Sequence, residues 1–247
     1  MVEQIAVFVA IGFAAQLVDG AMGMAYGLTA TSVLLSLGVP PATASASVHA
    51  AEMFTTAASG LSHWRFGNLR QSWVWRLAVP GMVGGAAGAY VLSSIPGETV
   101  RPFIGAYLMV MGGVILARAF RKMRERREPR RIEALGLAGG FLDSIGGGGW
   151  GPMVTSTLIG TGANPRQAIG STSLAEFFVT ATISATFFLT IGLELWPIIL
   201  GLVIGGVIAA PFAAYAAKKL PPRPLMALVG AVIIALSLRE LVRAFAS

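Results

Sequence analysis

The chain has no cysteine and carries little charge. The missing thiols exclude cysteine nucleophiles, thiolate metal sites and disulfide bonds, and they leave the redox compartment open. Only 12% of the 247 residues are charged, roughly half the share usual in soluble domains, whereas 55% are hydrophobic and the mean hydropathy is +0.74. A soluble protein of this composition could not cover its surface with polar groups. The composition therefore predicts an integral membrane protein that uses lipid as its solvent.

Basic residues are in excess, with a formal net charge of +7, and they are concentrated in one segment. Seven of the eighteen Lys and Arg residues lie between Arg121 and Arg131. This pattern is typical of a cytoplasmic loop that follows the positive-inside rule, and we expect no nucleic acid as a partner. The N-terminal run MVEQIAVFVA lacks the basic start and the cleavage site of a signal peptide, so we interpret it as the first membrane helix.

The sequence aligns with itself at a shift of 124 residues. The alignment pairs four of only eleven acidic residues, which chance does not readily produce. We therefore predict two diverged repeats, residues 1–118 and 133–247, joined by a basic cytoplasmic linker over residues 119–132. The aligned pairs include Asp19 and Asp143, Glu52 and Glu176, Gly23 and Gly147, Gly27 and Gly151, and Ser47 and Ser171.

Hydrophobic runs divide each half into five helical segments, so the predicted fold is all-α. The last three segments of each half reach the roughly 20 residues needed to cross a bilayer. The first two are shorter, and they either span at a tilt or form a re-entrant pair around a glycine-rich break. The segments are predicted near residues 3–18, 23–37, 41–62, 72–94 and 99–118, and near residues 133–145, 150–162, 166–190, 195–217 and 223–243.

The distribution of Lys and Arg predicts the orientation in the membrane. If every basic loop faces the cytoplasm, both termini lie outside and each half crosses the membrane an odd number of times. The two halves are then inverted relative to each other. Inverted repeats with interrupted helices are typical of secondary transporters, in which the substrate site lies near the bilayer midplane between the repeats. We therefore predict a multi-pass protein of the cytoplasmic membrane.

The predicted breaks lie at Asp19–Gly27 and Asp143–Pro152. Glycine-rich backbone between short helices leaves N–H groups unpaired, which hydrocarbon does not tolerate unless protein or water covers them. Each following helix points its positive end into its break, and such an end binds anions without a cationic side chain. The alternative is that the glycines only allow close helix packing. The candidate substrate-binding residues here are Gly20, Gly23, Tyr26, Gly27, Ser144, Gly147, Gly148, Gly149, Trp150 and Gly151.

Polar residues also recur on one face of the third helix of each half, as with Ser45, His49, Glu52 and Thr56 in the first. An acid within an apolar span points to function. Burial penalises its charged form, so protonated acids could donate hydrogen bonds or carry coupled protons. The alternatives are helix capping for the aspartates, structural hydrogen bonds for the glutamates and a packed His49. The site candidates therefore also include Ser47, His49, Ser171 and Ser173, with Asp19, Glu52, Asp143 and Glu176 as proton-coupling or structural acids.

With these features the chain resembles the sulfite exporter family of the TauE/SafE type. The resemblance extends over nearly the whole chain and is carried by IGGGGWGP at residues 145–152, by Gly162 and by AIGSTS at residues 168–173. It implies transport, with export as the implied direction, of sulfite, thiosulfate or an organosulfonate across the cytoplasmic membrane. The expected partners are a small anionic substrate and the lipid bilayer, and a homodimer is left open.

Two other functions remain open from the sequence. An anion channel is one, because a static sequence does not separate a carrier from a pore. An intramembrane enzyme using Glu52, His49 and Asp143 is the other, but the chain has no nucleophile motif and no His-Glu-x-x-His metal motif, so we expect no enzyme, cofactor or metal. At the predicted membrane edges, His63 is assigned no chemistry, and the tryptophans are interpreted as an interfacial belt: Trp64, Trp73, Trp75 and Trp196.

Overall fold

The computed structural model describes residues 2–22, 24–120, 131–192, 196–219 and 222–246, and all regular structure in these ranges is helical. Each half supplies five helical segments, as predicted. The first half contains α1 (Val2–Met22), α2 (Tyr26–Ser36), α3 (Pro41–Arg65), α4 (Gln71–Ser94) and α5 (Gly97–Phe120). The second contains α6 (Ile132–Gly146), a π-helix (Gly151–Thr155) that continues into α7 (Ser156–Gly160), then α8 (Pro165–Ile191), α9 (Trp196–Lys219) and α10 (Pro222–Ala246).

The first helices of the two halves differ in length, which corrects the prediction that both are short. α1 has 21 residues and α6 has 15, so at about 1.5 Å per residue they rise about 31 Å and about 22 Å. α6 ends where Gly147 adopts a left-handed conformation with φ of 68°, a common helix stop. α1 continues past the predicted end at residue 18 to Met22. Gly23, the counterpart of Gly147, lies outside the described residues.

Four helices of the described part are long and apolar enough to cross a membrane. They contain the stretches Gln71–Ser94, Gly97–Phe120, Arg166–Ile191 and Arg223–Arg243, in α4, α5, α8 and α10. Two shorter apolar stretches, Ile5–Asp19 and Trp196–Ala209, lie in α1 and α9. α3 has 25 residues, but its serines and threonines together with His49 and Glu52 make it the polar member of the set. The polar face predicted for α3 is therefore its distinguishing property.

The most extensive helix contacts join residues before the linker to residues after it. α1 packs on α9 and α4 packs on α6, and glycines bring both pairs into backbone contact. A Cβ atom at Gly84 would overlap the carbonyl oxygen of Leu137, and one at Gly205 would overlap that of Val9. Small residues at a helix interface allow this close approach in membranes. The glycines at these helix interfaces are thus packing residues.

Two further contacts pair helices that occupy the same place in the predicted repeat, α3 with α8 and α5 with α10. Along α5, Gly105 lies against Leu241 and Gly112 lies against Gly230, so α5 and α10 run antiparallel. On α3, Gly60 lies against Leu174, and the chain just beyond, at His63 and Asn68, lies against Gly170. α3 and α8 therefore also run antiparallel. This arrangement brings the third helices of both halves together at the centre.

Candidate functional site

The two predicted breaks touch each other at the centre of the molecule. A Cβ atom at Gly27 would lie 2.6 Å from the Cα atom of Gly148. The Thr31 hydroxyl donates a hydrogen bond to the Gly147 carbonyl oxygen, and the Tyr107 hydroxyl donates one to that of Gly148 at 3.0 Å. The second break is therefore held by side chains of α2 and α5, both from the first half of the chain.

The two aspartates make the same hydrogen bond in their respective halves. Asp19 Oδ1 accepts from the backbone N–H of Tyr26 at 3.2 Å, and Asp143 Oδ1 accepts from that of Trp150 at 2.8 Å. Each carboxyl thus bridges its break and meets the first residue of the following helical turn. A carboxyl group in this position satisfies one of the N–H groups that a helix start leaves unpaired.

His49 links α3 to Asp143. Its Nε2 atom lies 3.2 Å from Asp143 Oδ2, and its Nδ1 atom lies 2.8 Å from the Ser45 carbonyl oxygen and 3.2 Å from Ser45 Oγ. The Ser45 hydroxyl in turn donates to the Ser144 carbonyl oxygen at 2.5 Å. The His49 and Asp143 side chains are 0% and 1% exposed. This network is closed off from water.

A cavity of about 250 Å³ lies next to the touching breaks. It extends along α3 as far as His63, two residues before the C-terminal residue of that helix. Arg118, from α5, approaches one wall, with a guanidinium nitrogen 3.9 Å from the Met24 sulfur. The lining residues are Gln16, Asp19, Met24, Ala25, Gly27, Glu52, Thr55, Thr56, Ser59, His63, Gly149, Gly151, Pro152, Ile169, Ser173 and Glu176. Backbone from both breaks therefore faces the same space.

Comparison with known proteins identifies the family. Residues 8–239 match the family described as "Sulfite exporter TauE/SafE". The chain belongs to the TauE/SafE sulfite exporter family. It is also 41% identical over 250 residues to the "Probable membrane transporter protein YtnM" of Bacillus subtilis (strain 168), an alignment that covers 97% of this chain and 83% of that protein. No solved structure matches. Family membership and the apolar helices together make the chain a multi-pass membrane protein of a transporter family.

Seven of the predicted site residues of this TauE/SafE family member line the cavity. They come from both halves, from five helical elements and from the second break. The three acids among them lie on α1, α3 and α8, and the single hydroxyl lies on α8. The seven are Asp19, Gly27, Glu52, Gly149, Gly151, Ser173 and Glu176.

Other predicted site residues do not line the cavity. The Tyr26 hydroxyl donates to the Leu202 carbonyl oxygen, and the Trp150 indole N–H donates to that of Thr172. Ser171 Oγ accepts from the Arg70 backbone N–H at 2.8 Å. Also outside the cavity lining are Ser47, His49, Ser144, Gly147 and Gly148, which are buried, and Gly20, which belongs to α1; Gly23 lies outside the described residues.

The polar face of α3 continues further than the sequence analysis followed it. Thr55, Ser59 and His63 extend the face of Glu52 at helical spacing to the end of the helix. Extending the same three- and four-residue spacing by two turns would have found them. His63, to which the sequence analysis assigned no chemistry, therefore lines the cavity. Gln16 of α1 carries no signal of its own in the sequence.

One tryptophan departs from the predicted interfacial belt. Trp73 is 2% exposed, and the Arg70 guanidinium lies over its ring at 4.7 Å from the centroid. Trp64, Trp75 and Trp196 are exposed, as membrane-edge residues would be. The described residues contain no group of three or more His, Asp or Glu side chains arranged to hold a metal ion.

Proposed function

We propose that this chain is a secondary transporter that carries a small sulfur-containing oxyanion, such as sulfite, thiosulfate or an organosulfonate. The observation that carries the proposal is one cavity lined by the backbone of Gly27, Gly149 and Gly151, from both breaks. These glycines stand at the start of α2 and of the π-helix, where backbone N–H groups and the positive helix end favour an anion. The family description supports this class of substrate, and the transporter name of the relative supports the activity.

The acids of the cavity set a condition on anion binding. Asp19, Glu52 and Glu176 all line the same space. Three ionised carboxylates within about 250 Å³ would repel an oxyanion strongly, because Coulomb interactions are weakly screened away from bulk water. An anion can therefore enter only when these groups are largely protonated. The transporter would accordingly take up protons together with its anion.

Alternating access between inverted halves is supported by the helix directions and by an asymmetry. The helices that pair across the halves as repeat counterparts, α3 with α8 and α5 with α10, run antiparallel. Beyond Glu52, the polar face of α3 lines the cavity at Thr55 and Ser59, whereas the matching positions on α8, Val179 and Ile183, pack against glycines of α4. A carrier that exposes its site to one side at a time requires such a difference between the two repeats.

The orientation proposed from the basic loops puts the cavity mouth towards the cytoplasm. His63 and Ile169 line the cavity near the exposed Arg65 and Arg166, which belong to loops assigned to the cytoplasmic side. Basic residues near the mouth would attract an anion to it. The cavity would then be open inward, with both termini outside.

The proposed topology can be tested by cysteine labelling, since the chain has no cysteine of its own. Single cysteines at the exposed positions Arg131 and Arg223 are expected to react with an impermeant maleimide only from the cytoplasmic side of oriented vesicles. A cysteine at the exposed Glu98 is expected to react only from outside. Reaction of Arg131→Cys and Arg223→Cys from opposite faces would rule out the inverted arrangement.

Two serines on α8 provide a matched pair for the site itself. Ser173 lines the cavity, whereas Ser171 bonds the Arg70 backbone. Ser173→Ala is expected to weaken anion binding by about 0.5–1.5 kcal/mol, or up to about 3 kcal/mol if the lost bond is to a charged ligand. Ser171→Ala is expected to lower thermal stability and leave affinity unchanged. Isothermal titration with the anion selected in the screen below measures both, and the reverse ranking of affinities would contradict the site.

The function is tested by a binding and flux screen. Purified protein is titrated with sulfite, sulfate, thiosulfate and alkylsulfonates, and the anions that bind are followed into proteoliposomes. A carrier saturates with substrate and shows accelerated exchange when anion is present on both sides, whereas a channel passes a current that is proportional to the gradient. Failure of all sulfur oxyanions to bind would remove the proposal.

A further inference from the structure

The hydrogen-bonded pair of His49 and Asp143 lies apart from the cavity and has no part in the anion site described above. It joins α3 of the first half to the end of α6 in the second, and it is shielded from water on all sides. Burying two ionisable groups within a membrane protein costs free energy, so such a pair points to a function. The hydrogen bonds of the pair indicate which function this is.

The pair holds one proton. The Ser45 carbonyl oxygen can only accept, so the proton on His49 Nδ1 points to it at 2.8 Å. Ser45 Oγ, at 3.2 Å from Nδ1, uses its own proton on the Ser144 carbonyl. His49 Nε2 then faces Asp143 Oδ2 at 3.2 Å, and two acceptors make this contact only with a proton between them. The pair is neutral overall, whichever of the two atoms carries the proton.

We propose that His49 and Asp143 form a proton-binding site, loaded and occluded in this structure, that couples anion transport to the proton gradient. The coupling rests on the proposed function, while the proton site rests on the geometry of the pair. In chemical terms the site takes a single proton between an imidazole nitrogen and a carboxylate oxygen. Its release needs a conformation in which water reaches the pair.

The repeat indicates on which side that release occurs. Asp19 and Ser173, the repeat counterparts of Asp143 and His49, both line the cavity. If the two halves exchange conformations, Asp143 and His49 come to line a cavity that opens to the opposite side. The pair therefore exchanges its proton with the compartment opposite the present cavity, whereas Asp19 exchanges with the compartment that the cavity faces. A proton crosses the membrane when it passes between the pair and the cavity acids, of which Glu52 lies three residues from His49 on α3.

Other titratable groups surround the pair and interact with it. Glu52 lies on the same helix as His49, and Glu176 faces Asp143 from α8. Asp19 of α1 faces these two glutamates. Tyr107 of α5 faces Asp143, and Tyr26 of α2 faces Glu52 and Asp19. Because the pair is neutral when loaded, it adds no charge to the acids of the cavity. Once its proton has left, it adds a negative charge and disfavours a bound anion.

Asp143→Asn tests the proton site most directly. The asparagine oxygen can still accept from the Trp150 N–H, and its amide can donate to a neutral His49 Nε2, so the geometry is kept without a removable proton. Asp19→Asn makes the same change at the repeat counterpart. The full-length protein is placed in proteoliposomes with a trapped pH dye. Thiosulfate is the probe for proton counting, because it stays ionised near neutral pH.

The wild type is expected to move protons with thiosulfate. Asp143→Asn is expected to move one proton fewer per thiosulfate and to lose its response to the pH of the compartment opposite the cavity. Asp19→Asn is expected to alter the response to pH on the cavity side instead. A proton count for Asp143→Asn equal to that of the wild type overturns the inference. Thiosulfate transport by the wild type without any protons overturns the coupling, at this pair and at the cavity acids alike, and leaves the anion carrier itself intact.

A second measurement decides the proton site if no sulfur oxyanion is transported, in which case the proposed function itself falls. His49 and His63 are the only histidines of the chain, so ¹⁵N-histidine labelling gives two sets of imidazole signals, and His63→Gln assigns them. The His49 signals are expected to stay constant from about pH 5 to about pH 8, where those of an ordinary histidine change. Its signals are expected to shift in Asp143→Asn. A His49 signal that titrates as an ordinary histidine overturns the site.

Discussion

Gly148→Ala is expected to destabilise the folded protein more than the same substitution at any glycine whose Cβ position has no neighbouring atom. A Cβ atom there would overlap the backbone of Gly27 and Leu28, where the two breaks touch. Gly148 also has φ of 143°, which costs a non-glycine residue about 1–3 kcal/mol. Forcing the breaks apart adds an overpacking cost of similar size, about 1–3 kcal/mol. The loss arises before any ligand is present.

Gly38→Ala is the matched control for this variant. Gly38 has φ of 88°, but nothing lies within 4 Å of its Cβ position, so the substitution carries the conformational cost alone. Gly113→Ala, in open space within α5, is expected to be neutral or slightly stabilising. Thermal unfolding of the detergent-purified proteins, with size-exclusion chromatography, measures all three. Equal melting temperatures for Gly148→Ala and Gly38→Ala would show that the breaks do not touch.

Glu52→Gln is expected to flatten the pH dependence of anion binding. Glu52 lines the cavity, and its Oε2 atom is buried without a hydrogen-bond partner among the described residues. For each proton that must bind together with the anion, the affinity for the anion falls about tenfold per pH unit once the acids ionise. The affinity of the wild type therefore falls as pH rises. The variant removes up to one such proton. It should therefore bind more tightly than the wild type at high pH.

The control for Glu52→Gln is the same substitution at an acid away from the cavity. Glu133 lies at the start of α6, is half-exposed and pairs with Arg76. An ion pair this exposed to solvent contributes little, so Glu133→Gln should bind the anion with wild-type affinity at every pH. Titration of the anion over a pH series compares the three proteins. An unchanged slope in Glu52→Gln would show that this carboxyl does not take up the linked proton.

The fold was largely predictable because it follows from patterns that repeat along the chain. Hydrophobic runs gave the helical segments within a few residues, and the spacing of Asp19 and Asp143 from their breaks recurs in the hydrogen bonds that both make. The end of α1 was mispredicted, because nothing in the residues after Val18 forces a helix to stop. A stop depends on the backbone conformation that the surrounding structure imposes, as at Gly147.

The candidate site was less predictable because its membership depends on helix rotation. Ser171 and Ser173 are two residues apart and so lie about 200° apart around α8, which puts one against Arg70 and the other into the cavity. The packing of α8 against α3 and α4 decides which of the two serines lines the cavity. His49 presents the same difficulty, since its partner Asp143 is 94 residues away in the chain. From residue type alone, a structural role and a functional role for His49 were equally compatible with the sequence.

The pairing of helices across the linker has a consequence for synthesis of the protein at the membrane. The main partners of α1, α4 and α5 are α9, α6 and α10, all made later. The first half therefore enters the bilayer before the second-half helices that pack on Gly12 and Gly84 have been made, so lipid covers these helix surfaces. Its helices stay loosely associated until their partners leave the ribosome. Assembly of the core is then a late, post-insertion event, and a ribosome stalled in the linker leaves no completed half behind.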